Sequence, residues 1–268
     1  MSKTIAIAGM GWLGLALADK LQTFGYKVKG SVTSEDKAQS LRQRGFHTLM
    51  LEISENGVNG QVAAFLADVD SLVILIPPGL RKYTGSDYVL KMSHFLNEIQ
   101  QSEVEYVIFV SSTSVYGDEQ GTVTEKNIPQ PETEAGRQLH QVEQLFFEAS
   151  GITSSIVRFG GLYGGSRMPV RYLAGRKDLS NGDAPVNLIH RDDCIGILMA
   201  IINQNAYGHI FNAVIPEHPS KRIYYTQQAD RYELVPPQYA DASESSSYKQ
   251  VDSINISNVL GYTFKHSL

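Results

Sequence analysis

Residues 1–18 constrain this chain more than any other stretch. Residues 4–8, Thr-Ile-Ala-Ile-Ala, form an apolar run bounded by glycine and β-branched at Thr4, Ile5 and Ile7. Such a run suits a strand buried on both faces of a parallel sheet. Gly9, Gly11 and Gly14 follow as G-x-G-x-x-G, and Leu15, Ala16, Leu17 and Leu21 continue as an apolar helix. Each glycine has a mechanical task in such a turn. Gly9 lets the chain reverse, Gly11 lets a pyrophosphate approach the backbone, and Gly14 lets the helix pack on the strand. The first N–H groups of the helix, around Trp12 and Leu13, and its partial positive charge then face the anion. A tight βα turn without a ligand uses the same residues, so the strand, turn and helix carry the reading together.

Downstream, predicted strands at 26–32, 46–53, 71–76, 104–111 and 153–160 are interleaved with predicted helices at 35–44, 87–101 and 132–150. That rhythm predicts an α/β fold, a doubly wound parallel sheet of the dinucleotide-binding (Rossmann) type. Beyond residue 160 the rhythm weakens to short strands at 186–190 and 209–214, a helix from about 192, and a helical pattern over 221–234. The predicted division is a dinucleotide-binding domain over 1–165, rejoined by 186–214, and a small substrate-side lobe from 166–185 and 215–268. Ligands of open α/β sheets sit at the C-terminal strand ends. This brings Ile76, Pro77 and Pro78 after one strand, and Ser111 at the end of another, into the expected cofactor site.

With 42% hydrophobic and 19% charged residues, the 268-residue chain has the composition of a soluble globular protein. A net charge of −5 gives no electrostatic reason to expect nucleic acid or an anionic membrane surface as partner. No apolar run approaches the length of a membrane span, and the first strand leaves no room for a signal peptide, so the cytoplasm is the expected compartment. The single cysteine, Cys194, excludes an internal disulfide framework and a multi-cysteine metal site, and its apolar surroundings read as core.

An NAD site carries Asp or Glu at the end of the second strand, for the ribose hydroxyls. Here Val32 takes that position, 18 residues beyond Gly14, and no carboxylate precedes Glu35. Thr33 and Ser34 suit a 2′-phosphate, with Lys37 or Arg42 supplying charge, which favours NADP(H) while leaving NAD open. Ser34 as a helix N-cap, with both cations solvated, is the structural alternative.

Val110-Ser-Ser-Thr-Ser-Val-Tyr-Gly117 resembles the extended short-chain dehydrogenases/reductases, the NAD(P)-dependent epimerase/dehydratase family. Arg158-Phe-Gly-Gly-Leu-Tyr-Gly164, Asn187-Leu-Ile-His-Arg-Asp-Asp193 and Gly208-His-Ile-Phe-Asn212 resemble further blocks of that family, in order, along essentially the whole chain. The Gly-Trp-Leu-Gly turn, the serine-rich block and Glu134-Ala-Gly-Arg137 look most like its atypical YeeZ-type bacterial subgroup.

The resemblance implies a Tyr-x-x-x-Lys pair on the helix after the fifth strand, where the tyrosine moves a proton and the lysine lowers its pKa. Aligned on the family pattern, those positions fall on Ala135 and Leu139. Ser112 matches the family's helper serine, while Thr113 and Ser114 replace the Asp-Glu of sugar-nucleotide dehydratases. Tyr116 and His140 are the substitute candidates, His140 standing three residues from Arg137 on one helix face. Packing for Tyr116, solvent exposure for His140 and backbone satisfaction for Ser112 are the alternatives.

The loop 79–85 reads as a lid carrying Arg81 and Lys82, and Arg137, Arg158, Arg167 and Arg171 border the same cleft by analogy. Together they point to a small, anionic substrate, although a solvated surface explains each singly. Two functions stay open: an NADP(H)-dependent oxidoreductase or epimerase-like enzyme with a non-standard proton donor, or a catalytically silent dinucleotide-binding sensor or partner protein.

Overall fold

The computed structural model describes residues 2–79, 85–240 and 247–268. The apolar opening run forms β1 (Thr4–Ala8), and α1 (Trp12–Thr23) leads to β2 (Lys27–Val32). Then come α2 (Glu35–Gln43), β3 (His47–Ser54), β4 (Gly57–Gly60), α3 (Val62–Leu66), β5 (Ser71–Ile74) and α4 (Tyr88–Gln100). β6 (Tyr106–Ser112) runs into a 3₁₀ turn (Thr113–Val115) and the short β7 (Gly121–Val123). After α5 (Glu134–Phe147) and β8 (Thr153–Phe159) come β9 (Gly161–Tyr163), α6 (Val170–Leu173), β10 (Leu188–His190) and α7 (Arg191–Gln204). β11 (Ile210–Ala213), α8 (Lys221–Arg231), β12 (Lys249–Val251) and α9 (Asn255–Asn258) complete the described elements.

The main sheet has the order β11-β8-β6-β5-β1-β2-β3-β4. Its ladders are parallel except for the antiparallel β3–β4 hairpin. The predicted doubly wound sheet is therefore present, with β1 beside both β2 and β5 at the point where the winding reverses. Strand alternation divides the core. Ile5 and Ile7 face a cluster with Leu13, Leu17 and Leu21 of α1 and Ile197, Leu198 and Ile201 of α7. Ala6 and Ala8 face the opposite cluster, with Met92, Phe95 and Ile99 of α4 and Val142 and Phe146 of α5. Each fully buried leucine or phenylalanine among them (Leu17, Leu21, Leu198, Phe95 and Phe146) stabilises the fold by about 1.5–3 kcal/mol of transfer free energy.

Several pieces were absent from the sequence reading. β4 (Gly-Val-Asn-Gly) and α3 (Val-Ala-Ala-Phe-Leu) are four and five residues long, too short to show a period. β7 and β12 pair with each other, so the excursion after β6 joins the C-terminal segment, a grouping that the predicted boundaries at 165 and 215 do not make. β10 does not enter the main sheet but pairs with β9, and only β11 rejoins it beside β8. Glu125, between β7 and α5, holds the C-terminal segment: its carboxylate accepts from Asn212 N (2.9 Å), Ser253 Oγ (2.5 Å) and Ile254 N (2.8 Å). Cys194 lies in the core, where burial raises its thiol well above the ordinary value. No helix among the described residues is long and apolar enough to cross a membrane.

Candidate functional site

The glycine turn joins β1 to α1 at the sheet's switch point. Gly9 sits at φ +107°, where a Cβ would also meet the Leu75 carbonyl oxygen at 3.1 Å. A Cβ on Gly14 would lie 2.2 Å from the Gly9 oxygen, so the helix reaches the strand only because this residue has no side chain. At Gly11 an added Cβ would have no neighbour within 4 Å. The space beside that backbone is open, as an approaching phosphate requires. α1 carries no acidic residue in its first turn and no side-chain cap, which leaves its N–H groups and dipole to an external anion. The cradle therefore fits a dinucleotide's pyrophosphate.

β2 supports this turn more closely than its sequence suggested. Ser31 Oγ accepts from Gly9 N (3.1 Å) and Ser31 O from Met10 N (2.9 Å). The Met10 side chain fills the place where a Cβ of Gly30 would be, 2.5 Å from its Cγ. Trp12 and Leu13 open α1. Leu13 is buried, and Trp12 is half-buried with the Arg191 and Arg167 guanidinium groups 5.3 and 5.7 Å from its ring centre. Arg191 follows His190 directly in the chain and was not singled out from sequence.

At the far end of β2, Thr33, Ser34 and Lys37 are exposed, and the Ser34 side chain makes no capping bond to α2. Arg42 is withdrawn from any phosphate-binding role. Its Nη1 pairs with Glu35 (2.6 Å) and its Nε donates to the Thr48 carbonyl (2.7 Å). Beyond β5, Ile76 and Pro78 are half-buried and Pro77 exposed. The buried Tyr88 hydroxyl donates to Ile76 O (2.6 Å) and pins this stretch beside the turn. Arg81 and Lys82 of the expected lid lie outside the described residues.

The candidate proton-transfer residues separate. Ser112 ends β6, and its Oγ accepts from Ser114 N (3.2 Å), leaving its hydroxyl hydrogen to donate elsewhere. Tyr116 is 1% exposed. Its hydroxyl hydrogen faces Thr124 O (3.0 Å) and Asn212 Oδ1 (3.1 Å), and its oxygen accepts from Arg158 Nη1 (2.6 Å). Burial raises the phenol pKa further. Tyr116 is thus a packed, saturated group and not the free proton donor the sequence allowed.

Arg158 and Glu143, each 3% exposed, form a bidentate pair with Nε–Oε1 at 3.0 Å and Nη2–Oε2 at 2.7 Å. Burial pushes the Glu143 carboxyl up, but contacts with His140 and Arg158 outweigh it and hold the pKa below the ordinary carboxylate value. His140 turns its Nδ1 toward Glu143 Oε2, at 3.5 Å. Ser111, directly opposite Arg158 in the β6–β8 ladder, shares this α5-facing side and is 5% exposed. Ser112 lies opposite Phe159, a residue of the cluster on the other face. The structure therefore does not bring His140 and Ser112 together, and it buries Ser111 under α5 instead of opening it to a cofactor.

The arginines expected along one cleft are likewise dispersed. Arg137 pairs with Glu134 (3.1 Å) and donates to Glu132 O (2.9 Å), Arg158 is buried, and Arg171 is exposed on α6. Among these four, Arg167 is the one that reaches the glycine turn, through Trp12. α5 itself, Glu134–Phe147, contains neither tyrosine nor lysine.

Known proteins share this architecture. A family profile described as NAD(P)H-binding matches residues 9–205. Protein YeeZ of Escherichia coli (strain K12) is 35% identical over 266 residues, covering 98% of this chain and 96% of that protein. A functionally unknown conserved protein from Silicibacter pomeroyi DSS superposes with a TM-score of 0.79 at 23% identity, covering 99% of this chain and 94% of that one. UDP-glucuronic acid 4-epimerase from Bacillus cereus, solved in complex with NAD, superposes with a TM-score of 0.79 at 19% identity, covering 98% and 92%.

Proposed function

The chain belongs to the NAD(P)H-binding family, and from that premise we propose that it holds NADP(H) across the C-terminal ends of β1, β2 and β5 and acts on a small anionic substrate as an oxidoreductase or epimerase-like enzyme. The observation that carries this reading is the open backbone at Gly11, backed by the uncapped, acid-free N-terminus of α1. Gly9, Gly11, Trp12, Leu13 and Gly14 would hold the pyrophosphate. Thr33, Ser34 and Lys37 are placed for a 2′-phosphate beyond β2, and Ile76, Pro77 and Pro78 border the nicotinamide half. Exposed hydroxyls and an exposed lysine, with no carboxylate on β2, support NADP(H) over NAD(H).

When bound, the nicotinamide supplies hydride chemistry. Ser112 is the chain's own contribution nearby. Since its oxygen already accepts from Ser114 N, its hydroxyl donates outward and can polarise a substrate carbonyl or alcohol. The family's tyrosine and lysine positions fall on Ala135 and Leu139, neither of which moves a proton. That substitution, with Tyr116 saturated and His140 turned to Glu143, favours a second reading, a dinucleotide-binding protein without catalysis.

Fluorescence titration of the purified protein with NADPH and NADH tests the binding proposal. Saturable binding with NADPH tighter is expected, and tighter NADH would overturn the reading of residues 33–37. Should turnover be found, Ser112→Ala is expected to lower kcat more than coenzyme affinity. Unchanged kcat would remove Ser112 from the reaction.

A further inference from the structure

On the far side of Arg167 from the glycine turn lies a cavity of about 570 Å³. The turn Gly164–Arg167, closed by reciprocal backbone bonds of 2.9 and 3.0 Å, forms one wall, and α8 and the C-terminal residues 265–267 form others. A cavity of this size matches small-molecule sites. Its lining is unusual for a chain of net charge −5. Arg167, Arg231, Lys265, His190 and His266 all line it, and no carboxylate does among the described residues. Among the same residues, no carboxylate oxygen lies within 4.0 Å of Arg167, Arg231 or Lys265, although the ion pairs elsewhere show how readily this chain pairs its cations.

The lining also carries three tyrosines, beside glycine and apolar residues of the 164–170 segment, Gln228 and Ser267. Tyr163, Tyr224 and Tyr232 border the cavity; the Tyr163 hydroxyl donates to Ser267 O (3.2 Å), and burial, with Asp193 and Glu217 nearby, raises its phenol to about 12, while burial raises that of Tyr224. The His190 ring is seated where a Cβ on Gly164 would come within 2.2 Å of its Nε2, and it stacks on His266 with centroids 3.7 Å apart. Asp192 approaches both imidazoles from outside the lining, at 3.8 Å from His190 Nδ1 and 3.6 Å from His266 Nε2. These three residues offer metal-ligand atoms within 4.8 Å of one another. A metal ion there would face the unpaired positive charges of Arg167 and Lys265, and His190 Nδ1 already accepts from Asp192 N (3.2 Å). Coulomb's law favours an anion at this corner.

We propose that the cavity binds a phosphate ester, with Arg167, Arg231 and Lys265 around the phosphate and the three tyrosines against its organic part. A monocarboxylate is satisfied by one guanidinium fork, whereas a phosphate dianion presents three acceptor oxygens and uses several cations. The functional reading above is needed only to call this ester the substrate; the site itself stands on the cavity. Arg167 links the two sites, with its guanidinium over Trp12 and the cavity beyond it.

Isothermal titration of the full chain with phenyl phosphate, inorganic phosphate and benzoate tests the proposal, alongside NADPH titration of each variant. Phenyl phosphate is expected to bind saturably and more tightly than inorganic phosphate or benzoate. Arg231→Gln and Lys265→Gln should each weaken it about tenfold or more, the scale of one lost charged hydrogen bond, with NADPH affinity and melting temperature unchanged. No saturable binding, equal affinity in both variants, benzoate or inorganic phosphate binding as well, or one-for-one displacement by NADPH would each overturn it. Phenyl phosphate binding without any NADPH binding would instead sink the functional reading and leave the cavity assignment standing.

Discussion

Gly11→Ala and Gly14→Ala add the same methyl group three residues apart and are expected to fail in different ways. At Gly11 (φ −89°) the new Cβ meets nothing within 4 Å. Alanine is a poorer N-cap than glycine by about 0.5–1 kcal/mol, while the stiffer unfolded chain returns about 0.4–1 kcal/mol. The net change should stay within about 1 kcal/mol, or roughly 2–4 °C in Tm. The same methyl occupies the space a pyrophosphate needs. Losing one or two charge-assisted backbone bonds at about 1.5–3 kcal/mol each weakens NADPH by roughly tenfold to beyond a hundredfold. At Gly14 the Cβ lies 2.2 Å from the Gly9 oxygen and 3.1 Å from its carbon, both backbone atoms that cannot swing aside. Overpacking of that kind costs about 1–3 kcal/mol and should lower Tm by roughly 2–12 °C. Thermal melts and coenzyme titrations of both variants separate the effects. Wild-type NADPH affinity in Gly11→Ala, or a Gly11→Ala melt as low as that of Gly14→Ala, would refute the assignment of the two glycines.

Lys37→Glu should shift preference from NADPH toward NADH by about tenfold in the ratio of dissociation constants, the scale of one charged contact at a 2′-phosphate; an unmoved ratio would place the adenosine elsewhere. Arg158→Leu strands the Glu143 carboxylate and should cost about 3–5 kcal/mol, roughly 6–20 °C in Tm. The double variant with Glu143→Leu should recover much of that loss in the same melt. The Glu143 pKa is held below its unfolded value, so its stabilisation is complete above about pH 4.5 and is lost as pH falls through the folded value. Acid melts of the wild type should therefore fall more steeply than those of Glu143→Gln.

Much of the frame was legible because local signals and burial agree. The run 4–8 and the glycines behind it specify a strand, a turn and a helix on their own, and β1 occupies that span, Thr4–Ala8. The end of β5 was over-run by two residues, since the apolar pattern continues past the last ladder bond, while that of β6, where the ladder runs on into Ser112, was under-run by one. What failed to show was long-range. Nothing local to Ser31 or Gly30 says that they buttress the Gly9–Met10 turn, because that contact depends on the β1–β2 register. The arginines misled for the same reason. Arg42 and Arg158 look alike in sequence as free cations, yet one closes on Glu35 and the other on Glu143, seven and fifteen residues away.

Parity along β6 decides where a proton can come from. Ser111 stands opposite Arg158 and faces α5, whereas Ser112 stands opposite Phe159 and belongs to the other face. Tyr116, Glu143, Arg158 and the Nδ1 edge of His140 all join on the α5 side, so the titratable groups that replaced a Tyr–Lys pair in sequence order are separated from Ser112 by the sheet itself. A reaction assisted by Ser112 therefore draws its proton from outside this network, from the substrate or from solvent admitted to the cleft. His140→Gln should then leave the pH profile of kcat in place while altering the acid melt through Glu143. A kcat profile that changes shape in His140→Gln would return the imidazole to the chemistry and break the parity argument.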